Sequence, residues 1–104
     1  MSARTTVLVS EGDCWPLVLA TRLRASGDVR VILLDRGADL ARPGHPSAAR
    51  VQAAVEAGVD VLIDTEALRR RGMEPTSIAA GIKPTDIAMV ADLLVDETDK
   101  VVWL

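Results

Sequence analysis

Along this chain short aliphatic runs alternate with segments of helical period, and few folds accept that alternation. Thr6–Ser10, Val29–Leu34 and Val59–Ile63 are runs rich in Val, Leu and Ile, the pattern of strands covered on both faces. Helix signals lie between them. Pro16 stands where a helix takes its first residue, Leu19, Ala20 and Leu23 supply an inward stripe, and Gly27 is a stop. Ser47 is placed to cap a second helix with Ala48, Val51, Ala54 and Val55 inward, ending at Gly58. Asp64 to Gly72 is a short helix, acidic at its start and arginine-rich at its end, an order that suits the helix dipole. Ile87, Val90, Ala91 and Leu94 fall at i, i+3, i+4 and i+7 and predict a last helix over Thr85–Val95. Lys100–Leu104 is a terminal strand, Asp35–Pro46 a loop, and Glu74–Ala80 the place for a short fourth strand. Strands alternating with helices form βαβ units. The expected structure is therefore a single α/β domain, three layers deep (αβα), with a mostly parallel sheet of about five strands.

Composition removes several functions. No apolar run approaches the ~18 residues that span a bilayer, so no membrane association is expected. Phe and Tyr are absent, Trp15 and Trp103 are the only aromatic residues, and the formal net charge is −3. Nucleic acid is thus an unsuitable partner, because it is held by stacking platforms or a basic surface. Cys14 is the only cysteine, which rules out an intrachain disulfide. The N-terminal residues show no signal-peptide pattern, and the expected compartment is the reducing cytoplasm. His45, between Gly44 and Pro46, has no second histidine or cysteine near it and is expected at the surface. Neither a metal nor another cofactor is expected.

In parallel sheets ligands bind beyond the carboxyl ends of the strands. That edge collects Glu11, Gly12, Asp13 and Cys14 after the first strand, Asp35 after the second, and Asp64 and Thr65 after the third. Asp13, Asp35, Asp64 and Thr65 are therefore candidate ligand-binding residues, and Cys14 the candidate catalytic one. A helix N-terminus beside Cys14 favours its thiolate, whereas Glu11 and Asp13 oppose it. The alternative is a small hydrophobe under the loop. Asp64 suits a helix cap as well as a ligand site. Arg69, Arg70 and Arg71 suit a solvated face and dipole partner as well as an anion site.

The stretch from Gly58-Val59-Asp60-Val61 through Ala67-Leu68-Arg69-Arg70-Arg71-Gly72 resembles the centre of the DsrE/DsrF/TusD-like family. Ile32-Leu33-Leu34-Asp35-Arg36-Gly37-Ala38, Val90-Ala91-Asp92-Leu93-Leu94 and Asp99-Lys100-Val101-Val102 extend the likeness over most of the chain. The resemblance implies a small parallel-sheet subunit that forms homo- or hetero-oligomers and works in cytoplasmic sulfur transfer with sulfur-relay partner proteins. It places the persulfide-carrying cysteine of active members at Asp64. A carboxylate cannot carry a sulfane sulfur, so the resemblance implies a subunit without the usual chemistry. Cys14 as a substitute sulfur carrier is a second reading. A third takes Asp13 and Asp64 as the acids of a magnesium-binding, receiver-like domain. Against it, the receiver pattern needs a lysine after its fifth strand, and Lys100 precedes Val101–Leu104. A small domain with this aliphatic content leaves faces that need covering, and Trp103 either fills its own core or anchors an interface. With the resemblance, this predicts a homo-oligomer.

Overall fold

The computed structural model describes residues 3–104. The strands are β1 (Ala3–Val9), β2 (Gly27–Leu33), β3 (Asp60–Asp64), β4 (Ile82–Thr85) and β5 (Lys100–Trp103). The helices are α1 (Trp15–Leu23), α2 (Ala48–Glu56), α3 (Thr65–Arg70) and α4 (Ile87–Asp96). All strand pairs are parallel, in the order β4-β3-β2-β1-β5. With a radius of gyration of 12.5 Å, the chain has the size of one domain of about 100 residues.

Strand alternation splits the aliphatic side chains between two cores. Val7, Val9, Val31, Leu33, Val61 and Ile63 face α1, α2 and α3, where Leu17, Ala20, Val51, Ala54, Ala67 and Leu68 meet them. Leu8, Ile32 and Leu62 face the other way and are met by α4 alone, through Val90 with Leu93 and Leu94 beside it. The molecule is thus an αβα sandwich with a thick layer on one face and a single helix on the other.

Several elements differ from the sequence expectation, each for a local reason. The fourth strand lies at Ile82–Thr85 rather than within Glu74–Ala80. Pro84 hides it from pattern reading, yet β4 is an edge strand, where a missing N–H is tolerated. Asp35–Ala41 is a 3-10 segment, not open loop. Helix α4 starts after Thr85: the Asp86 carboxylate accepts the Met89 N–H at 2.9 Å and caps it. Ser47 makes no side-chain cap. Instead His45, half-buried, accepts the Ser47 N–H on Nδ1 at 3.0 Å, which replaces the expected surface role. The buried stripe of α1 is Pro16, Leu17 and Ala20 with Leu23 beside it, and Leu19 points away. Helix α1 is apolar on two sides, so hydrophobic period alone did not choose the inward one.

Trp103 does not fill the core of its own chain. It is 70% exposed on β5. Register places Trp103 beside Leu8 and Val101 beside Thr6, so both lie on the α4 face of the sheet. Beneath the end of α4 the buried Thr6 hydroxyl meets Thr98 Oγ1 at 2.8 Å, and Thr98 donates to the Leu93 carbonyl. This hydroxyl pair ties the C-terminus of the lone helix to β1.

Candidate functional site

The carboxyl ends of β2 and β3 open into a cleft of about 440 Å³ lined by Asp35, Asp64, Ala67, Arg70 and Arg71. Asp64 ends β3 and caps α3, its Oδ1 accepting the Glu66 N–H at 3.3 Å. Its carboxylate is half-buried at the cleft wall. Asp35 follows β2 with φ +48°, a left-handed conformation that aspartate tolerates better than most residues. Its carbonyl accepts Arg71 Nε–H at 2.9 Å, and its carboxylate lies 3.8 Å from the same guanidinium. Arg71 also pairs with Asp39 at 3.3 Å. The end of α3 is thereby pinned to the turn after β2. Two carboxylates and two guanidiniums face one opening, which is formally neutral.

The three arginines divide their work. Arg69 hydrogen-bonds Glu66, and that bond holds the Glu66 carboxyl below its ordinary value of 4.5. Arg70 reaches Glu66 at 3.5 Å and is otherwise exposed beside the cleft. Arg71 is the structural staple. The expected solvated face thus describes Arg69 and Arg70 but not Arg71, whose acidic partners lie more than thirty residues away.

The structure brings Asp35 and Asp64 together and leaves the other candidates apart. Thr65 begins α3 and lines a different cleft, with Glu66, Arg69 and Gly72. Asp13 is exposed in the bend after β1. Because β2 lies between β1 and β3, Asp13 and Asp64 project from strands about 10 Å apart, two strand spacings. That order does not set the two acids side by side as a receiver-like site requires. Cys14 heads α1, half-buried against the thicker core, and borders an apolar groove with Trp15, Val18, Leu19, Arg22 and Arg50. Among the described residues no three His, Cys, Asp or Glu side chains cluster as a metal site would need.

Sequence reasoning missed Thr85. It pairs in register with Asp64, is 4% exposed, and its buried hydroxyl has no hydrogen-bond partner among the described residues. Its only sequence signal was a place in a supposed helix. An orphaned hydroxyl carries an uncompensated desolvation penalty, so Thr85→Val should raise stability by about 1 kcal/mol. Urea denaturation checks this; a lower midpoint would mean that the hydroxyl has a partner in solution.

Comparison with known proteins yields structures rather than families. No family model matches the chain, and no curated protein matches it. Solved structures do. The ychN protein of E. coli superposes with a TM-score of 0.85 at 17% identity, covering 100% of both chains. MTH1491, a protein of unknown function from Methanobacterium thermoautotrophicum, gives 0.82 at 16% identity over 99% of this chain and 100% of its own. BT1422, a conserved protein of unknown function from Bacteroides thetaiotaomicron, gives 0.78 at 12% identity over 97% and 94%. At such identities the likeness is one of fold. The chain is an α/β protein sharing its whole architecture with these three.

Proposed function

We propose that the chain is a DsrE-like, oligomeric subunit of intracellular sulfur metabolism that does not itself carry persulfide. The observation that carries this reading is Asp64. It stands at the carboxyl end of β3 and the head of α3, in the cleft with Asp35, Arg70 and Arg71. The resemblance in sequence puts the sulfur-bearing cysteine at that position. A thiolate there would accept a sulfur atom from a persulfide donor and release the donor thiolate. A carboxylate offers only oxygen lone pairs, already committed in part to the α3 cap. The subunit's role is then to bind: charged groups of both signs in the cleft suit a polar partner surface, and exposed Trp103 suits assembly with its own kind. Its compartment on this reading is the reducing cytoplasm, and its partners are sulfur-relay proteins.

A second reading has one observation in its favour. Cys14 is half-buried rather than enclosed, and Arg22 and Arg50 border the same groove. One experiment separates the two. After incubation with a sulfane-sulfur donor, intact mass spectrometry of the wild type should show no thiol-reversible gain of one sulfur atom, whereas Asp64→Cys should show it at residue 64. Loading of wild-type Cys14 would establish the second reading. Failure of Asp64→Cys to load, with the fold intact by circular dichroism, would remove the assignment of Asp64 to the sulfur position.

A further inference from the structure

Two surfaces of this chain complement each other, and they lie on opposite faces of the sheet. One is the groove bordered by Trp15, Val18, Leu19, Arg22 and Arg50, about 440 Å³ in volume. Trp15, Val18, Leu19 and Arg22 stand at i, i+3, i+4 and i+7 of α1, a second stripe turned away from the core. The other surface is the outer side of α4 with β5, where Ile87, Val95 and Trp103 are 70%, 80% and 70% exposed. Asp92 and Asp96 stand exposed among them.

Charge matches shape. Among the described residues Arg22 and Arg50 have no acidic partner within 4 Å, although the chain holds ten such ion-pair contacts elsewhere. Asp92 and Asp96 are likewise unpaired. Two of these charges also oppose their own helix dipoles. Arg50 sits in the first turn of α2, which has no acid there, and Asp96 ends α4, which has no base in its last turn. A cation at a helix N-terminus and an anion at a C-terminus are each unfavourable alone. Meeting one another would relieve both.

We infer that the α1–α2 groove receives the outer face of α4 from a second copy of this chain, with Arg22 and Arg50 against Asp92 and Asp96. The inference rests on the oligomeric part of the proposed function and gives it an interface. A contact between two different faces is heterologous. Each copy offers a groove to one neighbour and a helix to the next, so the assembly closes as a ring or grows as a filament. Trp103 and Val101, on the α4 face, extend the inserted surface.

Charge reversal with light scattering tests this. The wild type should exceed 11.1 kDa, the mass of one chain. Arg22→Glu with Arg50→Glu, and separately Asp92→Arg with Asp96→Arg, should each fall to that single-chain mass. The four substitutions combined in one chain restore opposite signs across the contact and should recover the wild-type mass. All four charged side chains involved are exposed in the free chain, so circular dichroism should be unchanged throughout. A wild type that is monomeric overturns the oligomeric reading itself. An oligomeric wild type whose mass survives the groove substitutions, or a fourfold variant that stays dissociated, overturns only the interface.

Discussion

Gly37→Ala should lower the stability of this chain by on the order of 3 kcal/mol, a large share of what a domain this size has. Gly37 crosses the carboxyl end of β1 so closely that a Cβ would land on the Val9 carbonyl oxygen and lie 3.0 Å from its carbon. Neither atom can step aside. The Val9 carbonyl already accepts the Leu34 N–H at 2.8 Å, and the Gly37 N–H donates to the Leu34 carbonyl at 2.8 Å. A methyl group therefore forces the β1 end away from the turn after β2, the turn that carries Asp35 into the candidate cleft. Gly44→Ala is the control. Gly44 has φ +76° and nothing within 4 Å of its would-be Cβ, so only backbone strain of about 1 kcal/mol is expected. Guanidinium denaturation measures both. If Gly37→Ala shifted the midpoint no further than Gly44→Ala, the close crossing would not exist in solution.

What could be read from residues alone depended on whether the deciding contact was local. The β1, β2 and β3 runs were legible because a strand buried on both faces is aliphatic at every position. Asp64 as the cap of α3 was equally legible, since cap and receiving N–H lie two residues apart. Strand β4 was not, because Lys83 and Pro84 erase its pattern and only its place at the sheet edge makes proline acceptable. The inward side of α1 was legible only in part, with Ala20 and Leu23 read as inward but Leu19 taken in place of Leu17: the helix has two apolar sides, and only packing against α2 and the sheet distinguishes them.

The site followed the same division. That Asp35 and Asp64 share one edge follows from strand direction, and the structure sets them around one cleft. That Arg71 belongs there could not be foreseen, since its partners Asp35 and Asp39 are brought to it by the β2–β3 pairing. Strand order was the other missing fact. With β2 between β1 and β3, Asp13 and Cys14 belong to a different part of the edge from Asp64.

The two faces of the sheet should differ in how they answer truncation, and adjacent residues of β2 expose the difference. Leu33 and Ile32 are both fully buried, side by side in sequence, and directed to opposite layers. Removing either side chain to alanine forfeits a similar transfer free energy, so the contrast comes from the cavity left behind. Around Leu33 three helices and the Asp35–Ala41 segment are fixed to one another and cannot close the void, which predicts a loss of about 4 kcal/mol. Around Ile32 the wall is α4 alone, meeting Leu8 and Leu62 through Val90, Leu93 and Leu94. A single helix unsupported by a neighbour on its layer can settle toward the sheet, and about 2 kcal/mol is expected. Denaturation midpoints give the two losses, and amide exchange locates them. Ile32→Ala should raise exchange chiefly within Ile87–Asp96 while β1 and β2 stay protected; Leu33→Ala should raise it everywhere, because the element it weakens is the one whose opening is global. Equal losses with uniform exchange would mean that α4 is held as firmly as the opposite layer. The exposed apolar side of α4 would then be rigid before any second copy reaches it, and docking would order nothing further.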